Sequence, residues 1–387
     1  MSIEMFSQKG IYPVQLLKEL NKLGVINSSS DYPIAEDQFQ PNSLDLRLGK
    51  LAYRVRCSFL PENETVAEKL DTLSMHSFSL EDGAVLEPNC IYIVPLLESL
   101  DLSKLKDISE TNAFWQEITA KANPKSSTGR LDIFTRVITD FSHRFEEVKP
   151  GYKGSLYLEV VPKTFPIRVK TGQKLNQLRI RNSDTTISDA EIRKLHDSFP
   201  LLLHESGNSL TAKEIKVAHG LFMSVNLHGE KNEVIGYKAK KHRDLIDLDK
   251  IGHYKISDFW DPIYSQSDDY IILEPEAFYI FASKERCRIP QDFAAEMVPY
   301  DTGSGELRTH YAGFFDSGFG CTEDGKGARA VLEVRSHDVP FLIEDGQTFF
   351  RMVFERNAIN PDSLYGVTLK SNYQGQDLKL GKQFKVI

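Results

Sequence analysis

The sequence predicts a mainly β protein built from two tandem copies of one domain, with a few short helices. Two observations carry this expectation. Short strand-like runs follow one another with turn residues between them, the pattern of an antiparallel barrel or sandwich and not of alternating βαβ units. Peptides of the first half then return in the second half, in the same order and at closely similar spacing.

Taken in order, Tyr12–Leu23 predicts an amphipathic helix with Pro13 near its first turn. Pro41–Gly49 alternates, with Leu44, Leu46 and Leu48 on one face, and predicts a half-buried strand closed by glycine. Strands are expected at Leu51–Val55, Phe78–Leu80, Ile91–Leu97, Leu131–Thr139, Leu156–Val161, Phe165–Val169 and Leu175–Ile180. Turns such as Glu81-Asp82-Gly83 and Lys170-Thr171-Gly172 separate them. Ser109–Lys121 predicts a helix, and so does Ser188–Ser198, with Ser188 or Asp189 as its N-cap. We place the first domain at residues 1–185, and a linker helix with the second domain at 186–387.

The repeat rests on ordered anchors. Ser43-Leu44-Asp45-Leu46 returns as Ser224-Val225-Asn226-Leu227, and Leu86-Glu87-Pro88 as Leu273-Glu274-Pro275. Leu158-Glu159-Val160 returns as Leu332-Glu333-Val334, and Gly172-Gln173 as Gly346-Gln347, both at an offset of 174 residues.

The copies have diverged where chemistry is expected. Copy one carries Lys125-Ser126-Ser127-Thr128-Gly129-Arg130-Leu131, two adjacent hydroxyls flanked by cations. That composition suits an oxyanion, and it also suits a plain polar turn. Copy two has Asp301-Thr302-Gly303 there, and Glu306 in place of Arg130. It carries instead a hairpin-like run from His310 to Gly320 that contains Asp316-Ser317-Gly318.

Composition excludes several classes. A net charge of −8 argues against a general nucleic-acid binder. No apolar run approaches the roughly 20 residues of a membrane span, and the N-terminus shows no leader pattern, so a cytoplasmic protein is expected. The four cysteines are scattered without a Cys-x-x-Cys pair, which removes the usual spacing of a cysteine zinc site. There is no Walker loop and no Gly-x-Gly-x-x-Gly after a strand.

With these pieces assembled, the chain resembles the dCTP deaminases of the trimeric dUTPase-like superfamily, in the long bacterial form with two such domains. The resemblance rests on Pro41–Gly49, Lys125–Leu131, Phe315–Phe319, Ala330–Val334 and Tyr373-Gln374-Gly375-Gln376, which span most of the chain in family order. It implies two dUTPase-like distorted β-barrel (jelly-roll-like) domains and assembly as a homo-oligomer with trimer-type packing of domains. It implies hydrolysis of dCTP to dUTP and ammonia, with dCTP and dUTP as ligands and neither nucleic acid nor membrane as partner. No protein-bound metal is expected at the base, and Mg²⁺ would arrive with the triphosphate. The His-x-Glu…Pro-Cys-x-x-Cys pattern of zinc deaminases is indeed missing.

The resemblance also implies roles. The proton-shuttling carboxyl falls on Glu159 or Glu333. Ser126 would orient the water or amine, and Arg130 would hold the polar network around it. Lys125 and Ser127 would contact phosphates, Asp316 the sugar hydroxyl, and the backbone of Ala312 the cytosine edge. Tyr373 and Gln376 would lie in a segment closing over the triphosphate. A composite site would join Ser126, Ser127 and Arg130 of copy one to Asp316 and Glu333 of copy two. The competing arrangement uses copy one's own hairpin, with Glu159 catalytic and Glu146 in the place of the Asp. Bifunctional deaminase–pyrophosphatases and dUTP pyrophosphatases share the superfamily and would release dUMP. A nucleotide-binding scaffold would bind without turnover.

Overall fold

In a computed structural model the chain is described at residues 3–108, 113–266, 269–299, 307–309, 313–336, 338–366 and 373–385. The repeat is realised in strand order, with the short edge strand Gly10–Ile11 present in copy one only among the described residues. In copy one a sheet runs Gly10–Ile11, Lys174–Asn182, Ile118–Pro124, Glu147–Val148, with Leu44–Arg47 also on Lys174–Asn182. In copy two the same order is Thr348–Arg356, Phe293–Pro299, Gly313–Phe315, with Leu221–Ser224 beside Thr348–Arg356.

The second sheet repeats as closely. Copy one has Ser74–Ser79, Leu51–Val55, Ile91–Asp101, Lys153–Pro162 and Ile133–Thr139. Copy two has Trp260–Tyr264, Val234–Ala239, Phe278–Cys287, Ala328–Ser336 and Leu307–Thr309. Alternation turns one face of each strand inward, and both copies bury the result as an apolar core. Even a side-chain detail is conserved between copies: Tyr92 Oη accepts from Glu87 N, and Tyr279 Oη from Glu274 N, at 3.1 and 3.0 Å.

Two helices form as expected. Val14–Lys22 starts after Pro13, and Asp189–Ser198 starts from a Ser188–Glu191 capping box. The helix expected over Ser109–Lys121 does not form. Residues 109–112 lie outside the described residues, Ala113–Glu117 is a 3₁₀ turn, and Ile118–Pro124 is a strand. Small alternating residues explain the difference: Ile118, Ala120 and Ala122 face the core at period two, and Ala has the propensity of a helix former. The Pro41–Gly49 strand differs too, because Leu44–Arg47 is buried on both faces. Its polar residues are paired, Asp45 with Lys125, and Arg47 with Glu98 at 2.6 Å. The helix Val66–Leu73, capped by Thr65, was not anticipated.

The two copies are joined by ion pairs, one of them buried on both sides. Arg335 of copy two pairs with Asp132 of copy one, both buried. Lys121 reaches Glu296 at 2.7 Å, and Arg181 reaches Glu355 at 2.5 Å. Removing one partner of the Arg335–Asp132 pair, buried on both sides, strands the other at a cost of roughly 3–5 kcal/mol. Apolar packing crosses the same boundary, since Ile246, Phe259, Trp260 and Phe384 join copy one's core.

Candidate active site

Between the copies lies a cavity of about 530 Å³, the size of a small-molecule site. Copy one builds one wall from the turn that leaves strand Ile118–Pro124. Lys125 N donates to Leu175 O at 3.0 Å, and Thr128 Oγ1 to the same carbonyl at 2.8 Å. These bonds wind Ser126–Gly129 into a single helical turn. Ser126 is left exposed on the cavity, while Ser127, Thr128 and Arg130 are buried.

Arg130 is held by the C-terminal segment. Its Nη1 donates to Lys379 O at 2.8 Å and its Nη2 to Gln376 Oε1 at 2.9 Å. The guanidinium lies 4.0 Å from the Tyr373 ring centroid, and Nε is buried without a partner among the described residues. Gln376 is fixed in turn, Nε2 donating to Arg329 O at 3.1 Å. The expected closing residues thus stack and hydrogen-bond on the expected polar centre.

Copy two builds the opposite wall. Glu333 sits on the central strand Ala328–Ser336, buried and facing the cavity. Burial pushes its carboxyl up to about 7, against the opposing pull of Arg130. Asp316 lines the same cavity and pairs with Arg179 at 3.0 Å. Burial raises its pKa too, partly offset by Arg179 and Lys125. Lys125 also lines the cavity and is paired there with Asp45. Ala312 and His310 lie outside the described residues.

Glu159 is not on this cavity. It occupies the position of Glu333 in copy one, opposite Ile93 as Glu333 is opposite Ile280. There the cross-strand neighbour Arg136 grips it at 2.6 Å, and Phe145 lies over that guanidinium at 3.5 Å. Copy one's hairpin also has a different register from the one expected. Lys121 and Glu296 are equivalent, and they face Glu147 and Phe314 respectively. Glu146 therefore aligns with Gly313, and Lys149, not Glu146, takes the place of Asp316. A cation there reverses the polarity a sugar hydroxyl contact needs.

Glu146 is instead a buried carboxyl of copy one, accepting from Asn176 Nδ2 at 3.4 Å, with its pKa raised by burial to about 8. Its charged form is the costly one. Stability contributed by its neutral form is complete below the unfolded pKa near 4.5 and is lost as pH rises through about 8. Glu146→Gln is expected to melt higher than wild type at pH 8, with the gap closing near pH 4. Thermal melts across pH check this.

Several cavity residues had no sequence signal of their own. Arg179, set behind the cavity wall, holds Asp316, and Phe314 lines the cavity with its ring 3.9 Å from the Arg179 guanidinium. Tyr365, Lys170, Lys174, Lys382 and Gln177 line it as well. Among the described residues no three His, Cys, Asp or Glu side chains are grouped to hold a metal, and no helix is long and apolar enough to cross a membrane.

Residues 8–184 match the family model of the 2'-deoxycytidine 5'-triphosphate deaminase (DCD) N-terminal domain, and residues 188–384 that of its C-terminal domain. The chain is similar to the crystal structure of 2'-deoxycytidine 5'-triphosphate deaminase from Agrobacterium tumefaciens, at 44% identity and a TM-score of 0.81. That match covers 90% of this chain and 99% of the other. It is also 25% identical over 146 residues to a dUMP-forming dCTP deaminase of a Nocardioides species, covering 38% of this chain and 67% of that one.

Proposed function

The chain belongs to the dCTP deaminase family and is an enzyme of that kind, and from that premise we propose that it hydrolyses dCTP to dUTP and ammonia in the cavity between its two copies. The observation that carries this reading is Glu333, a carboxyl with a pKa near neutrality that faces the cavity beside Arg130. A general base works best when its pKa lies near the working pH.

The ionised Glu333 takes a proton from water as the water oxygen bonds to C4 of cytosine. The same carboxyl passes that proton to N3, giving a tetrahedral adduct. A second proton moves by way of Glu333 from the new hydroxyl to the amine, the C4–N bond breaks, and ammonia leaves. Ser126, exposed on the cavity wall, orients the water or the amine. Arg130, buried and stacked on Tyr373, fixes the polar surroundings of the carboxyl.

The other expected residues bind substrate in this reading. Asp316, held by Arg179, accepts from the sugar 3′-hydroxyl, and the backbone at Ala312 meets the cytosine edge. Lys125 exchanges Asp45 for a phosphate, with Ser127, Tyr373 and Gln376 closing beside it. Mg²⁺ enters as the triphosphate's counter-ion, a component of the substrate.

Release of dUMP is the second reading, favoured by the similarity to a dUMP-forming enzyme. Following ammonia, dUTP, dUMP and pyrophosphate from dCTP separates the two. We expect ammonia and dUTP in equal amounts without pyrophosphate. Pyrophosphate released in step with ammonia would make the chain dUMP-forming, and nucleotide binding without ammonia would overturn the deaminase assignment.

A further inference from the structure

The C-terminal segment brings to the cavity one cation that the chemistry above does not use. From Leu380 to Phe384 every residue is buried except Lys382, which is half-buried and lines the cavity. Its backbone is held on both sides. Leu380 and Phe384 pack into copy one's core, and Phe384 also lies against Tyr254, Phe259 and Trp260 of copy two. Gly252 N donates to Lys382 O at 2.9 Å, and His253 N to Gln383 O at 2.8 Å. Gln383 Nε2 donates to Leu248 O at 3.4 Å, and Lys385 N to Tyr254 O at 2.9 Å. A stem that starts from so fixed a backbone loses less freedom when its ammonium meets a ligand.

The charges around Lys382 are not balanced. Three other lysines line the same cavity, and each has a carboxylate partner there: Lys125 has Asp45, Lys170 has Asp249 at 2.6 Å, and Lys174 has Asp37 at 2.8 Å. Lys382 forms no ion pair among the described residues. Burial, with the like charges of Lys125 and Lys174, holds its pKa below the ordinary lysine value. Asp45 and Asp249 pull the other way, but each is already engaged by another lysine. A half-buried cation beside two others is costly until an anion joins it.

The cavity also has two electrically distinct ends. The charge that bears on Glu333 is Arg130, whereas Lys125, Asp45, Lys174 and Asp249 bear on Lys382. A nucleotide whose base meets Glu333 therefore extends its phosphates toward the lysines.

We propose that Lys382 is a substrate-binding residue, its ammonium donating to a phosphate oxygen of the nucleotide's triphosphate chain. The assignment deepens the deaminase reading and rests on it for the ligand. Lys125 has to release Asp45 before it can meet a phosphate, and Lys382 has no carboxylate to release. Its contact therefore counts in full toward affinity.

The test compares Lys382→Met and Lys382→Arg with wild type in ammonia release from dCTP with Mg²⁺. Calorimetric binding of dCTP is measured alongside, in a Glu333→Gln background where turnover does not interfere. Lys382→Met is expected to raise KM about tenfold or more, the worth of one charge-assisted hydrogen bond, with kcat within about twofold of wild type. Its Kd for dCTP is expected to rise by the same factor, and Lys382→Arg to recover most of both. A fall in kcat together with a lower melting temperature, not recovered by arginine, would make Lys382 a support of the C-terminal segment and overturn the proposal. Unchanged KM and Kd in an enzyme that releases ammonia would overturn it and leave the deaminase reading standing. Weaker dCTP binding by Lys382→Met, in a chain whose wild type releases no ammonia, would support the phosphate contact and overturn the deaminase reading instead.

Discussion

Glu333→Gln is expected to lower ammonia release from dCTP by about 10²–10⁴-fold, the range of a lost general base, while the variant folds and melts higher than wild type at pH 8. Both effects come from one cause. Burial raises the Glu333 pKa from its ordinary 4.5 to about 7, so the neutral form is the stable one in the fold. The stability this carboxyl contributes is complete below about pH 4.5 and lost as pH rises through 7. By pH 8 the loss is on the order of 3 kcal/mol, which Gln avoids by staying neutral. The same titration governs activity with the opposite sign, because the reaction starts from the carboxylate. In wild type kcat/KM is expected to rise with pH through about 7 and then level. Glu159→Gln supplies the contrast: its carboxyl faces Arg136 and not the cavity, so ammonia release should stay near the wild-type rate.

Arg130→Lys is expected to cost the second largest loss, about 10²-fold or more in kcat with a smaller rise in KM. A lysine keeps the charge but cannot donate to Lys379 O and Gln376 Oε1 in one plane while stacking on Tyr373. Each charge-assisted hydrogen bond lost is worth about 1.5–3 kcal/mol. The same change should loosen the C-terminal segment, since Gln376 and Lys379 lose their common anchor. Limited proteolysis within residues 373–385 reads that loosening separately from turnover. A variant with unchanged kcat and unchanged cleavage would remove Arg130 from the polar centre.

Much of this arrangement was legible in the sequence. The anchors Leu86-Glu87-Pro88, Leu158-Glu159-Val160 and Gly172-Gln173 register strands that recur in the same order in the fold, and loss of the serine pair from copy two marked where the copies diverge. What stayed hidden was pairing between residues far apart in the chain. Asp45 reads as the polar side of an alternating strand until Lys125 is beside it, and Arg179 reads as a surface residue until Asp316 meets it across the copies. Glu159 and Glu333 share one motif, and only their neighbours distinguish them: an arginine that neutralises the first, and a cavity in front of the second. Local propensity misled at Ile118–Pro124, where alanines that favour a helix fill the tight face of a strand.

The central claim is that one chain holds a complete site, with Arg130 and Glu333 facing the same cavity. Co-expressing Arg130→Lys chains with Glu333→Gln chains and measuring ammonia release from the mixed assembly tests it most directly. If each site is built within a chain, every site carries one defect and the mixture stays as inactive as its parents. Recovery of a substantial fraction of wild-type turnover would mean that Arg130 and Glu333 meet between chains, contradicting the account.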